Sequence, residues 1–143
     1  GGVGTLDRHF PSRDALRAAV CRRGGEQRAA SAASLLAARP AGEALEAWLH
    51  LLVDYMATKR VIAPALQASA GEGAEAYASG GAAVSESMNR LLEAAIAAGA
   101  VRPDIGPQDL FRAMIGFSYG YEQPDWEASA RRLISVLMAG LRV

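Results

Sequence analysis

The chain has 143 residues, 15 basic against 15 acidic side chains, 51% hydrophobic residues and a single cysteine. That is one domain's worth of sequence, able to bury a core without a metal or disulfide staple, and its composition excludes a disordered chain. No apolar run reaches the roughly 18 residues a spanning helix needs, and nothing reads as a secretion signal, so a cytoplasmic protein with no membrane partner is expected.

In chain order, alanine is abundant and alternating apolar stretches are missing, which favours helices throughout. Phe10-Pro11-Ser12 breaks the chain and starts a helix, with Ser12 as cap, Asp14 at the positive end and apolar Ala15, Leu16, Ala19 and Val20. This helix can run through Arg28 toward Leu36, although Gly24-Gly25 weakens its middle. Arg39-Pro40-Ala41-Gly42 reads as a turn. The next helix carries Leu45, Trp48, Leu49, Leu52 and Met56 on one stripe, widened by Leu51, Val53 and Tyr55. Pro64 is expected to split off a short helical piece.

Residues 70–83 hold four glycines, with Tyr77 as the large side chain, and read as a loop or a poorly held helix. A stripe at Val84, Met88, Leu91, Leu92, Ala95 and Ile96 follows, ended by Gly99 and Pro103. Gly106-Pro107 enters a helix with Asp109 at its positive end and Leu110, Phe111, Met114, Ile115, Phe117 and Tyr121 apolar, stopped by Pro124. Asp125 is the expected cap of the last helix, whose stripe is Trp126, Ala130, Leu133, Ile134, Leu137, Met138 and Leu141. Gly140 stands near its end, as C-terminal glycines often do. The fold class is all-α, with five to seven helices.

Charge is unevenly spread. Residues 1–28 hold six arginines against Asp7, Asp14 and Glu26, whereas from Ala41 onward eight basic residues face twelve acidic ones. A basic arm that meets an anion, joined to an acidic body that does not, fits this gradient. Fourteen of the fifteen basic residues are Arg, which either a GC-rich genome or an Arg-specific role accounts for.

The opening run Gly2-Val3-Gly4-Thr5-Leu6-Asp7-Arg8-His9-Phe10-Pro11-Ser12-Arg13-Asp14 carries the most specific chemistry. A short helix in a major groove needs small leading residues, here Gly2, Val3 and Gly4, so that its backbone can approach the bases. Thr5 can donate to a phosphate or touch a thymine methyl, and His9 and Arg13 can bind phosphates beside the free N–H groups after Ser12.

This run closely resembles the end of the recognition helix, the turn and the next helix start of TetR/AcrR bacterial transcriptional regulators. The resemblance implies an all-α TetR-like bundle, with residues 1–28 forming the last part of a helix-turn-helix domain and a connecting helix. Residues 29–143 would form the ligand-binding and dimerisation domain. It places Thr5, His9 and Arg13 on DNA-backbone positions, Val3 and Gly4 on base-reading positions, and Leu6 and Phe10 in the core. Asp7 stands where the family has a phosphate-contacting Tyr; it is either a surface residue paired with Arg8 or a neighbouring Arg, or an acceptor from a cytosine amino group. In the family two further helices precede this run, so the stretch by itself is expected to bind DNA weakly.

Trp48, Leu52, Tyr55, Met56, Leu66, Tyr77, Met88, Leu92, Met114 and Phe117 read as ordinary core one by one. Together they suit an apolar cavity for a small molecule, the place where the family puts its inducer, with residues 70–83 as a mobile wall. Phe111, Ile115, Tyr119, Trp126, Leu133, Leu137 and Leu141 are the candidates for an isologous four-helix dimer interface; the alternative is that they face the protomer's own core.

Other chemistry finds little footing. His9 and His50 lack metal-ligand spacing, and Cys21 lacks an activating base. No phosphate loop follows a strand, and Glu93, Asp109 and Glu122 read as helix-surface charges. Neither catalysis nor a cofactor is therefore called for. The expected function is a homodimeric regulator, a repressor that binds a double-stranded DNA operator and is released by a small molecule. The competing reading is a helical small-molecule-binding or sequestering protein without DNA regulation.

Overall fold

The computed structural model describes residues 13–68, 72–118 and 123–143, with the backbone alone at 14, 17, 21, 58–68 and 72–80. The described residues form helices α1 (Arg13–Ala38), α2 (Ala41–Ala68), α3 (Glu72–Ala97), α4 (Pro107–Phe117) and α5 (Trp126–Leu141). The fold of the described residues is all-α. The β-type contact among the described residues is an isolated antiparallel bridge between Val101 and Arg142.

Helix α1 passes through Gly24-Gly25 and through residue 28, the expected domain boundary, without a break. Its inward positions Ala18, Gly25 and Ala32 recur every seven residues and are all buried. Small side chains let the helix axes approach closely, which is what the glycine pair serves. A Cβ at Gly24 would stand 3.2 Å from Cε2 of Tyr55, so the Tyr55 ring lies almost against the α1 backbone. Helix α1 packs on α3 and α2, α2 also contacts α3 and α5, and α4 rests on α3 and α5.

One local expectation needs correction, and one alternative is decided. Pro64 does not split α2, which continues to Ala68. Proline removes one main-chain bond and crowds the preceding turn, but the long helical stretch around it continues nonetheless. Of the two alternatives for residues 70–83, the helix forms from Glu72, where α3 starts. Five alanines in residues 72–83, the strongest helix formers, offset the three glycines there.

The helix ends follow their chemistry. Gly99 adopts φ 72, and its N–H and that of Ala100 bond to Ile96 O and Ala95 O at 2.9 and 3.0 Å. This left-handed cap needs a residue without a Cβ, and it closes α3. At the start of α4, Asp109 Oδ2 accepts from Gly106 N at 2.9 Å. Asp125 occupies the N-cap position of α5, but its side chain makes no capping bond there. Gly140 lies inside the last turn of α5, which ends at Leu141.

Trp48, Leu45 and Leu49 of α2 join Met88, Leu91 and Leu92 of α3, Leu110 and Met114 of α4, and Ile134 and Met138 of α5 in one continuous core. The chain end is tied back onto the α3–α4 connection, with Arg102 N donating to Leu141 O at 2.9 Å and Val143 N to Ala100 O at 3.3 Å.

Candidate functional site

The three sets of candidate residues fall in different places. Of the DNA-facing set, Val3, Gly4, Thr5, Asp7 and His9 lie outside the described residues. Arg13 is the first residue of α1 and is exposed. It stands at the end of α1 that leads back to the basic arm.

Trp48, Leu52 and Tyr55 of α2, Met88 and Leu92 of α3, and Met114 of α4 are all buried in the core cluster. Met56 and Phe117 are half-buried against that cluster. The side chains of Leu66 and Tyr77 lie outside the described residues. The set therefore converges on the α2–α3–α4 junction, as shared apolar faces require.

Polar bonds lock α1 and α5 to this junction. The Trp48 indole Nε1 donates to Arg28 O at 2.9 Å, and Arg28 Nε donates to Leu51 O at 3.1 Å. Arg131 of α5 donates from Nη1 to His50 O at 3.1 Å and from Nη2 to Asp54 Oδ1 at 2.7 Å. One turn toward the start of α2, Arg142 Nη2 bonds Glu46 Oε2 at 2.6 Å. Residues 46, 50 and 54 thus form the α5-facing edge of α2, and residues 48, 51 and 55 its α1-facing edge.

The third set divides by face. Ile115 is 59% exposed and Leu133 39% exposed, while Phe111, Trp126 and Leu137 are half-buried. Leu141, in contrast, is 3% exposed and packs into the protomer's own core. It lies seven residues, nearly two turns, after the fully buried Ile134, so the helical period carries it to the inner face. Tyr119 lies outside the described residues. Val136, 68% exposed, is an additional apolar side chain on the outer face of α5.

Residues 40–143 match the C-terminal domain of SbtR-like transcriptional regulators, a TetR-family domain. The chain belongs to the TetR family. Among solved structures it is similar to the TetR transcriptional regulator SCO0520 of Streptomyces coelicolor, at 36% identity and TM-score 0.85, over 98% of this chain and 80% of that one. It is also similar to a TetR transcription regulatory protein of Mycobacterium vanbaalenii, at 29% identity and TM-score 0.75, over 98% of this chain and 75% of that one. No curated protein matches it.

Within this TetR-family chain, three features go beyond what was expected from the sequence. Val136 follows Leu133 by three residues and precedes Gly140 by four, a spacing that would have marked the outer stripe. The arginine bonds to main-chain carbonyls leave no such signal, because every residue offers a carbonyl. An open groove of about 700 Å³ also runs beside the α1–α2 turn, lined by Arg39, Glu43, Glu46, His50 and Arg142 among others. Among the described residues no cluster of three His, Cys, Asp or Glu side chains is placed to hold a metal ion, and no helix is long and apolar enough to cross a membrane.

Proposed function

We propose that this chain works as a cytoplasmic, homodimeric, ligand-responsive repressor that leaves its DNA operator when a small molecule binds. Membership of the TetR family along nearly the whole chain is the observation that carries this reading. The basic run ending at Arg13 would supply the DNA contacts, with Val3 and Gly4 at the bases and Thr5, Asp7, His9 and Arg13 at or near the phosphates. Residues 1–28 would belong to the DNA-binding part and residues 29–143 to the ligand-binding and dimerisation part.

The outer stripe of Ile115, Leu133 and Val136, flanked by Phe111 and Leu137, supports an isologous helical interface. Tyr119 and Trp126 would extend it. The ligand would be an apolar or amphipathic molecule entering at the α2–α3–α4 junction, where Met56 and Phe117 keep part of their surface exposed. Leu66 and Tyr77 would complete the wall. Binding would favour a second placement of α1, and moving a population from 1:99 to 99:1 takes about 5.5 kcal/mol of differential affinity.

The test uses the complete protein with its natural N-terminus, and DNA flanking its own gene, in fluorescence anisotropy at several salt concentrations. Tight binding to that DNA, absent on an unrelated duplex and weakening steeply with salt, is expected because phosphate contacts release counterions. Equal weak binding to both duplexes would overturn it in favour of a sequestering protein, with the anionic Asp7 as the reason. Val136→Asp should lower the sedimenting mass to that of a monomer without loss of helicity.

A further inference from the structure

Two arginines from opposite sides converge on consecutive carbonyls of α2. Arg28 of α1 takes Leu51 O, and Arg131 of α5 takes His50 O, both at 3.1 Å. Within an α-helix these carbonyls already accept from the N–H groups four residues on, so each is a shared acceptor at one turn of one helix. Trp48 closes the α1 side by donating back to Arg28 O at 2.9 Å, and Asp54 closes the α5 side by holding Arg131 at 2.7 Å.

Among the described side chains of α1 upstream of this turn, the inward Ala18 and Gly25 are small, Leu16 is half-buried and Val20 is 43% exposed. A face of small side chains gives close approach but few knobs to resist tilting. Leu35 and Leu36, which pack against the core, lie on the other side of Arg28.

We propose that the His50–Leu51 turn of α2 is a joint that sets the angle between α1 and α5, with Arg28 and Arg131 as its two positioning residues. This rests on the reading above, in which α5 lies at the dimer interface and α1 leads to DNA. The joint then sets the separation of the two DNA-binding ends. Arg13 lies fifteen residues from Arg28, about 22 Å along the helix. A tilt of about 5° about Arg28 moves that end by about 2 Å. In a two-fold dimer both ends move, by about 4 Å together, against a half-site repeat of about 34 Å.

The experiment is pulsed electron–electron distance measurement on the complete protein, with its native cysteines replaced by serine and a single spin label at Arg23→Cys or at Glu127→Cys. Arg23 and Glu127 are both exposed. Arg28→Lys removes the Nε donor, Arg131→Gln removes the α5 link, and both keep a long side chain. Each should broaden the distribution between the two copies at position 23 about twofold, leave that at position 127 unchanged, and weaken operator binding about tenfold, the size of one charged-donor bond. Unchanged distributions at position 23 in both variants would overturn the joint. Broadened distributions with unaltered operator affinity would overturn its role in DNA spacing. A lack of any dipolar signal in the unsubstituted protein would overturn the dimer reading, and the spacing role with it. Arg131→Lys gives a second α5-side variant should Arg131→Gln fail to fold.

Discussion

Replacing Trp48 by Phe isolates the bond between α2 and α1, because most of the ring remains. Trp48 is fully buried, so the smaller ring leaves a void rather than solvent. About 40 Å³ is emptied, which at about 24 cal/mol per Å³ costs about 1 kcal/mol. Loss of the 2.9 Å donation to Arg28 O costs about another 1 kcal/mol. The carbonyl keeps its bond within α1, so no further penalty for a stranded acceptor is added. The sum is about 2 kcal/mol, a fall of about 6–8 °C in Tm for a domain of this size. Urea unfolding followed by far-ultraviolet circular dichroism, at one fixed protein concentration, measures it. An unchanged m-value with a loss below about 0.5 kcal/mol would refute both the packing and the donor assigned to Trp48.

Three further outcomes follow from the geometry. Gly24→Ala gains about 1 kcal/mol of helix propensity but sets a Cβ 3.2 Å from the Tyr55 ring, and overpacking of about 1–3 kcal/mol should leave a net loss near 1 kcal/mol in the urea midpoint. Gly140→Ala meets no atom within 4 Å in the protomer, so the monomer fold should gain about 0.5–1 kcal/mol of helix propensity with no opposing clash. Sedimentation should nevertheless show weaker self-association, since Gly140 continues the Leu133–Val136 stripe. Asp104 should titrate below the ordinary Asp range, mainly through its side-chain hydrogen bonds with Arg102. A depressed folded pKa contributes stability that is present above the unfolded value and lost as pH falls through the folded one. The stability gap between Asp104→Asn and the parent should therefore close below about pH 4 in acid unfolding curves.

The helices were largely legible because burial imposes a period. Stripes such as Leu45, Trp48, Leu49 and Leu52 on α2, or Val84, Met88, Leu91 and Leu92 on α3, are the core faces the structure shows. The ends were legible where a residue has one conformational use, as at Gly99 with its positive φ and at Pro107 in the first turn of α4. The break expected at Pro64 does not occur because local propensity is small against the stability of a long helix, and of the two alternatives for residues 70–83 the helix is the one that forms from Glu72. A stripe, moreover, identifies an apolar face but not its partner. On α5, Leu141 turns to the protomer's core and Val136 outward, and the two differ only in where the period places them. The Arg28–Leu51 and Arg131–His50 contacts join residues far apart in sequence through main-chain oxygen, which no side-chain pattern encodes.

The two edges of α2 differ in how they respond to ionic strength. Its α5 edge is held partly by Arg142–Glu46 and Arg131–Asp54, whose side chains are 25–54% exposed, whereas the Arg28 and Trp48 bonds join half-buried or buried groups to main-chain oxygen. Exposed ion pairs weaken as salt rises, in part even at contact distance, whereas bonds of the second kind are much less affected. Rising salt therefore loosens the body of the protein on one side only. The slope of operator affinity against salt then contains a contribution from the protein's own ion pairs besides the displaced phosphate counterions. Measuring that slope again in Arg131→Gln isolates the share of the Arg131–Asp54 pair, and adding Arg142→Gln leaves a remainder that counts phosphates.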